Sequence, residues 1–362
     1  MAAISFPRKN NLDWLRLLLA VQVALHHISF LMGTRVPEAM KHFPGVPAFY
    51  FISGFLIYAS YLNAPGWRYF ENRFLRLFPG LFFVTIGGAA ITLVALGWNH
   101  LFLNAKTYAI WFLAQITLGQ AYNPALFRTV GTGVINGSLW SITVELLFYL
   151  CVPVIVWLEA RYRFALPLLM IISLGIYAIG PLLWTAPLYR EKTFYDIVAI
   201  TPIAWGWMFG FGILTAKHFD RIRPWLGKFL WAIVPMGILI LAESGIGNRM
   251  RGFDFILSSS GNRLGVLYFI CYVSVVLWVG FIPAIPRLPF DFSYGVYIWH
   301  DPIINLLVIL SIPFASLVIP LTLLIAALSW FLVERPSLKL KRRSLRPVDK
   351  MTEEPAPGRV SA

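Results

Sequence analysis

Ten stretches of mostly apolar residues follow one another along this chain, near 12–31, 46–62, 79–97, 139–157, 165–183, 198–216, 229–243, 264–282, 292–310 and 313–333. A helix needs about 20 such residues to cross the hydrocarbon core of a bilayer. The spacing therefore predicts an all-α fold: a polytopic transmembrane helix bundle of about ten spanning helices. Composition agrees. Of 362 residues, 59% are hydrophobic and only 13% charged, against about a quarter charged in soluble domains. A soluble domain of this length could not keep so much apolar surface from water, whereas a bilayer accepts it as solvent.

The Lys and Arg excess, 30 against 16 acids, does not point to nucleic acid. The basic residues fall in short clusters between apolar runs, and no basic stretch is long enough to track a phosphate backbone. They act instead as topology signals and as contacts for anionic lipid or phosphate. The two cysteines, Cys151 and Cys271, both lie inside apolar runs. They suggest neither a disulfide framework nor a thiolate metal site, and no metal is expected. The first run follows Phe6-Pro7-Arg8-Lys9-Asn10 without a small-residue cleavage site, so it reads as a first spanning helix rather than a removed signal.

Charge decides the sidedness. Residues 108–118 form an eleventh apolar run, short for a crossing. If they do not cross and the N-terminus is cytoplasmic, these groups all fall inside: Arg8 and Lys9; Arg68, Arg73 and Arg76; Arg161 and Arg163; Lys217, Arg221, Arg223 and Lys228; Arg287; and the cluster from Lys339 to Arg346. If 108–118 crosses, every cluster from Arg161 onward moves outside. The positive-inside rule favours the first arrangement. Both termini are then expected in the cytoplasm, with 108–118 at the outer interface or re-entrant. Residues 1–345 are expected to form the membrane domain. Residues 346–362, polar and Pro-containing, are expected to form a disordered cytoplasmic tail. The expected location is the cell (inner or plasma) membrane.

Ionisable groups at membrane depth are costly and mark function. The first run carries Asp13, Arg16, His26 and His27. Arg16 and His27 are eleven residues apart, three turns and about 16 Å along a helix, and so share a face. His26 points about 100° away, and the residues alone do not choose between the two imidazoles. Ser53-Gly54, in an aromatic context, reads as a site of close helix packing. Arg73 and Arg76 sit one turn apart, on the side where Arg16 lies, and suit phosphate clamping. Glu145 is alone in an apolar run, at a depth similar to that of His27, so a His–Glu pair is geometrically open. His300-Asp301-Pro302 lies within a later run and is expected to line a cavity. Glu334-Arg335-Pro336 reads as a helix-end feature.

Taken in order, these residues resemble the acyltransferase-3 family of membrane O-acyltransferases. The resemblance rests on Arg16 and His27 (Arg, ten residues, His), Tyr50 to Phe55 (Phe-Phe-x-x-Ser-Gly-Phe, with Tyr50 in place of Phe), Arg73 and Arg76, and Trp140-Ser141 with Glu145. It continues in Tyr294, Tyr297 and His300, and in Glu334 to Pro336. His26 stands where that family usually has an aromatic or apolar residue. The resemblance implies transfer of an acyl group, most often acetyl, from cytoplasmic acyl-CoA to a hydroxyl of a surface or exported glycan or glycolipid. On this reading Arg16, Arg73 and Arg76 hold acyl-CoA. His27 is the general base and Glu145 orients it. Trp140, Ser141, Tyr297 and His300 contact substrate. Membrane lipid is the surrounding partner. The competing class is a secondary transporter or flippase of a small polar or glycolipid substrate, since intramembrane His, Glu and Arg also mark transport paths. Against it, the halves show no clear internal repeat and the arginines gather at one face.

Overall fold

The computed structural model describes residues 4, 6, 7, 9–35, 37, 40, 42–185, 197–243, 254–282, 285, 286, 288 and 290–341. The expected tail, 346–362, lies outside the described residues, as do Arg8, Arg287 and Arg342 to Arg346.

Each of the ten apolar runs is helical. The helices are α1 (Leu12–Met32), α2 (Gly45–Asn63), α3 (Trp67–Leu96), α4 (Trp98–Leu103), α5 (Ala105–Gln115), α6 (Trp140–Arg161), α7 (Ala165–Thr185) and α8 (Pro202–Lys217). There follow α9 (Phe219–Leu226), α10 (Leu230–Leu241), α11 (Val266–Phe281), α12 (Ser293–Ile309), α13 (Val318–Ser329) and α14 (Arg335–Lys339). A π turn, Trp330–Glu334, joins the last two. The described β-structure is one two-residue-per-strand hairpin, Ser259–Ser260 with Arg263–Leu264.

Among the described residues, six helical segments have the length and apolarity of a crossing: Leu12–Met32, Gly45–Asn63, Trp67–Leu96, Gly137–Arg161, Ile197–Lys217 and Ala315–Lys339. Of the rest, α7 runs 21 residues to Thr185, and the others are shorter or bent. The run at 229–243 holds a 12-residue helix containing Pro235, and α9 meets α10 at 84°. The run at 264–282 starts late because Arg263 and Leu264 belong to the hairpin. The run at 79–97 is part of a longer helix. α3 begins at Trp67 and has 30 residues, about 45 Å at 1.5 Å per residue. Its first turns carry Glu71, Arg73 and Arg76, so the helix continues past its apolar part. The 108–118 run forms the 11-residue α5, whose Tyr108 and Trp111 pack on Phe127, Val130 and Ile135.

Two helix pairs frame the site. α2 and α8 meet at glycines: a Cβ on Gly54 would lie 2.0 Å from the Phe209 carbonyl oxygen, and one on Gly212 2.1 Å from that of Phe51. The Ser53-Gly54 pair is thus a packing site, as its small side chains suggest. Because backbone is what blocks the Cβ, no rotamer change relieves the clash. Gly54→Val is expected to cost more than the 1–3 kcal/mol or so typical of overpacking, read as a lower midpoint of thermal unfolding in detergent. The second pair is α1 and α12. Arg16 contacts Asp291, just before α12, and eleven residues later His27 contacts Asp301, within α12. The two helices therefore run side by side in the same direction, joined by two polar rungs.

Candidate active site

At the lower rung, the start of α12 brings a carboxylate to the arginines. Asp291 Oδ2 accepts from Arg16 Nη1 at 3.3 Å and from Arg76 Nη2. Its other oxygen accepts from Ser293 Oγ at 2.6 Å. Burial alone would raise the Asp291 pKa. Arg16 and Arg76 outweigh it and hold the carboxyl well below the usual carboxylate range. Arg73 donates to Ser60 Oγ at 3.1 Å and lies over the Tyr149 ring. Just beyond α14, burial and then Arg73 and Arg76 hold the Lys341 amine down to about 8, against the opposing pull of Asp291. Glu334 is buried rather than a surface helix end, and accepts from Ser329 Oγ at 2.8 Å. Neither the role of Asp291 nor the burial of Glu334 is expected from the residue pattern, because both lie at run ends where charges usually face the interface.

At the upper rung, the His27 and Asp301 side chains meet with Nδ1–Oδ1 at 2.8 Å. His300 Nε2 lies 2.9 Å from the same His27 nitrogen, and its own Nδ1 lies 3.2 Å from the Val296 carbonyl. A carbonyl only accepts, so His300 carries its proton on Nδ1 and its Nε2 accepts. His27 then carries its proton on Nδ1, shared between Asp301 and His300. This leaves His27 Nε2 as a lone pair with no hydrogen-bond partner among the described residues. An imidazole held in one tautomer by a buried carboxylate is the arrangement of a general base.

Asp301 is itself held from above. Asn305, one turn on, accepts from Thr132 N at 2.9 Å and donates to the Val134, Ile135 and Asp301 carbonyls. Asn136 donates to the Ile298 carbonyl at 2.9 Å, and Ser138 donates to Asn136 Oδ1 at 2.7 Å. Gly131, at φ +56, makes this possible: a Cβ there would stand 2.2 Å from Asn305 Oδ1.

Two cavities border these rungs. The larger, about 110 Å³, is lined by Arg16, Arg73 and Arg76 together with Ser141, Glu145 and Tyr297. The smaller, about 60 Å³, is lined by His26, His27, Trp140 and the hairpin tip Gly261-Asn262. Val46 and Tyr297 line both. The Ser141 and Tyr297 hydroxyls lie 2.5 Å apart at this boundary.

The structure brings together Arg16, Arg73 and Arg76 with Ser141, Glu145 and Tyr297, and places His27 and Trp140 beyond them. It corrects two expectations. Glu145 does not orient His27: it faces the arginine cavity, where it accepts from Tyr149 Oη at 2.6 Å and from Ser53 Oγ at 3.5 Å. Asp301 takes the orienting place, because α12 runs beside α1. His300 lines neither cavity. It is fully buried and contacts His27 instead. The sequence signal for this lay in the adjacency of His300 and Asp301 within one apolar run.

His27, His300 and Asp301 also form the one three-residue set among the described residues whose metal-ligating atoms all lie within 4.8 Å of one another. Within that set, His27 Nδ1 is already engaged by Asp301 Oδ1 at 2.8 Å.

Residues 9–334 match a family model described as an acyltransferase domain. Nodulation protein 10 of Rhizobium leguminosarum bv. viciae is 28% identical, over 93% of this chain and 95% of its own length. An O-acetyl transferase of Shigella phage Sf6 is 25% identical, over 91% and 96%. The peptidoglycan O-acetyltransferase OatA of Listeria monocytogenes is 22% identical, over 91% of this chain and 56% of OatA. No solved structure matches the chain.

Proposed function

Since this chain belongs to the acyltransferase-3 family of membrane O-acyltransferases, we propose that it moves an acetyl group from cytoplasmic acetyl-CoA to a hydroxyl of a surface or exported glycan. The observation that carries the proposal is the pair of adjoining cavities, one cationic and one holding a base with a free lone pair. Three arginines lining the cavity, with Lys341 near enough to feel the charges of Arg73 and Arg76, suit the phosphates of a CoA thioester. Two of the relatives are called O-acetyl transferases, which supports acetyl as the group, and one of these is named for peptidoglycan, which supports a glycan as the acceptor.

The sidedness follows from the charge clusters. The arginine end of α1 faces the cytoplasm and the His27 end faces out, in a bundle of about ten crossings with both termini inside. The thioester enters from the arginine side with its acyl group leading. His27 Nε2 takes the proton of the acceptor hydroxyl. The hydroxyl oxygen attacks the thioester carbonyl, the new C–O bond forms, the C–S bond breaks, and the His27 proton returns to the CoA thiolate. Asp301 stabilises the imidazolium between these steps. Direct transfer is favoured over an acyl-enzyme because no described Ser or Cys hydrogen-bonds to His27, as an activated nucleophile would. Glu145, Ser141 and Trp140 line the donor's path.

Purified protein incubated with labelled acetyl-CoA is expected to release CoA slowly with water as acceptor, and to pass label to a glycan hydroxyl when glycan is added. Movement of glycan across proteoliposomes without CoA release would establish the transporter reading instead.

A further inference from the structure

We propose that Val46 sets the acyl-chain length this enzyme accepts; the inference rests on the acyl-CoA donor reading above. Among the described residues, Val46 and Tyr297 are the two that line both cavities, so whatever passes from the arginines to His27 passes between them. The thioester carbonyl must reach His27, and the acyl chain extends beyond that carbon. The chain therefore lies at the Val46–Tyr297 boundary or in the space past it, which is only about 60 Å³ and is shared with the acceptor hydroxyl.

Tyr297 is fixed. Its hydroxyl is bonded at 2.5 Å to Ser141, its ring packs edge-on against Phe49, and it sits on the α12 turn that precedes His300. The boundary's other side is the first turn of α2. There Gly45 N is tied to Gln22 Oε1 at 2.8 Å, and a Cβ on Gly45 would lie 2.6 Å from Val23 Cγ2. The backbone therefore has no room to retreat. With one wall hydrogen-bonded and the other backed by α1, the Val46 side chain, two methyl groups and no polar atom, is the part of the boundary whose size sets the clearance. It is buried, and no described side chain is hydrogen-bonded through it. A hydrophobic pocket discriminates about 10- to 200-fold per methylene, enough to separate acetyl from butyryl.

The test compares kcat/KM for acetyl-, propionyl- and butyryl-CoA, followed as CoA release with water as acceptor, in wild-type protein and in Val46→Ala and Val46→Leu. The readout is the butyryl-to-acetyl ratio within one preparation, which partial loss of folded protein does not move. Wild type is expected to prefer acetyl by at least about 10-fold. Val46→Ala should raise the ratio about 10-fold or more, and Val46→Leu should lower the propionyl-to-acetyl ratio. Active variants with ratios within twofold of wild type overturn the inference while leaving the donor reading intact, and one folded variant suffices to decide. Failure of wild type to use any acyl-CoA overturns the donor reading, and this inference with it.

Discussion

Replacing His27 with alanine is expected to lower acyl transfer by about 10²–10⁴-fold, the usual contribution of a positioned general base, with the protein still folded and membrane-inserted. The measurement is label transfer from acetyl-CoA, alongside a thermal melt. The prediction follows from the tautomer assigned by the hydrogen bonds. Nδ1 is committed to Asp301 at 2.8 Å, so Nε2 is the atom free to take a proton. Asp301→Asn tests the same geometry from the other side. An amide offers that nitrogen either a weaker acceptor or a donor, so the imidazolium loses its stabilising charge. Its kcat should fall by orders of magnitude while KM for acetyl-CoA stays near wild type, because Asp301 lies away from the arginines. His26→Ala is expected to retain most activity. An active His27→Ala beside an inactive His26→Ala would move the base to the neighbouring imidazole.

Arg76→Ala should raise the KM for acetyl-CoA about 10- to 100-fold, the loss expected for one hydrogen bond to a charged phosphate. A second effect comes with it. Arg76 and Arg16 share Asp291, and removing one leaves a partly buried carboxylate underpaired, which is destabilising in itself. The unfolding midpoint should therefore fall together with donor affinity. Arg76→Lys keeps the charge but not the planar fork. It should restore the melting midpoint more fully than it restores KM. A KM unchanged in both variants would place the CoA phosphates elsewhere.

The apolar runs made the helical membrane architecture legible, because their length depends only on bilayer thickness. The polar partners were harder to place. Arg16 and His27 could be put on one face of one helix, since that is a property of a single helix's period. Which carboxylate meets His27 is a property of how helices are arranged around α1, and sequence depth alone left Glu145 as open a partner as any. α12 runs alongside α1, so Asp301 takes that place. Asp291 is illegible in the sequence for a related reason. It sits just outside an apolar run, where a lone acid is ordinarily solvated, and only the approach of Arg16 and Arg76 gives it a role. The Ser53-Gly54 reading needed less, since small side chains in an aromatic helix have few uses apart from close approach.

Asn305 bonds to the backbone of the segment leading into α6 at Thr132, Val134 and Ile135, and Gly131 leaves room for it. That segment looks like an ordinary surface connection, the kind protein engineers shorten or exchange without concern. Here it works more like a splint. It fixes the turn of α12 that carries Asp301, and through Asp301 the angle of the His27 ring. Exchanging residues 131–138 for those of a relative would thus change the setting of the His27 ring along with the loop. Chimeras meant to alter acceptor choice should place their junctions outside it.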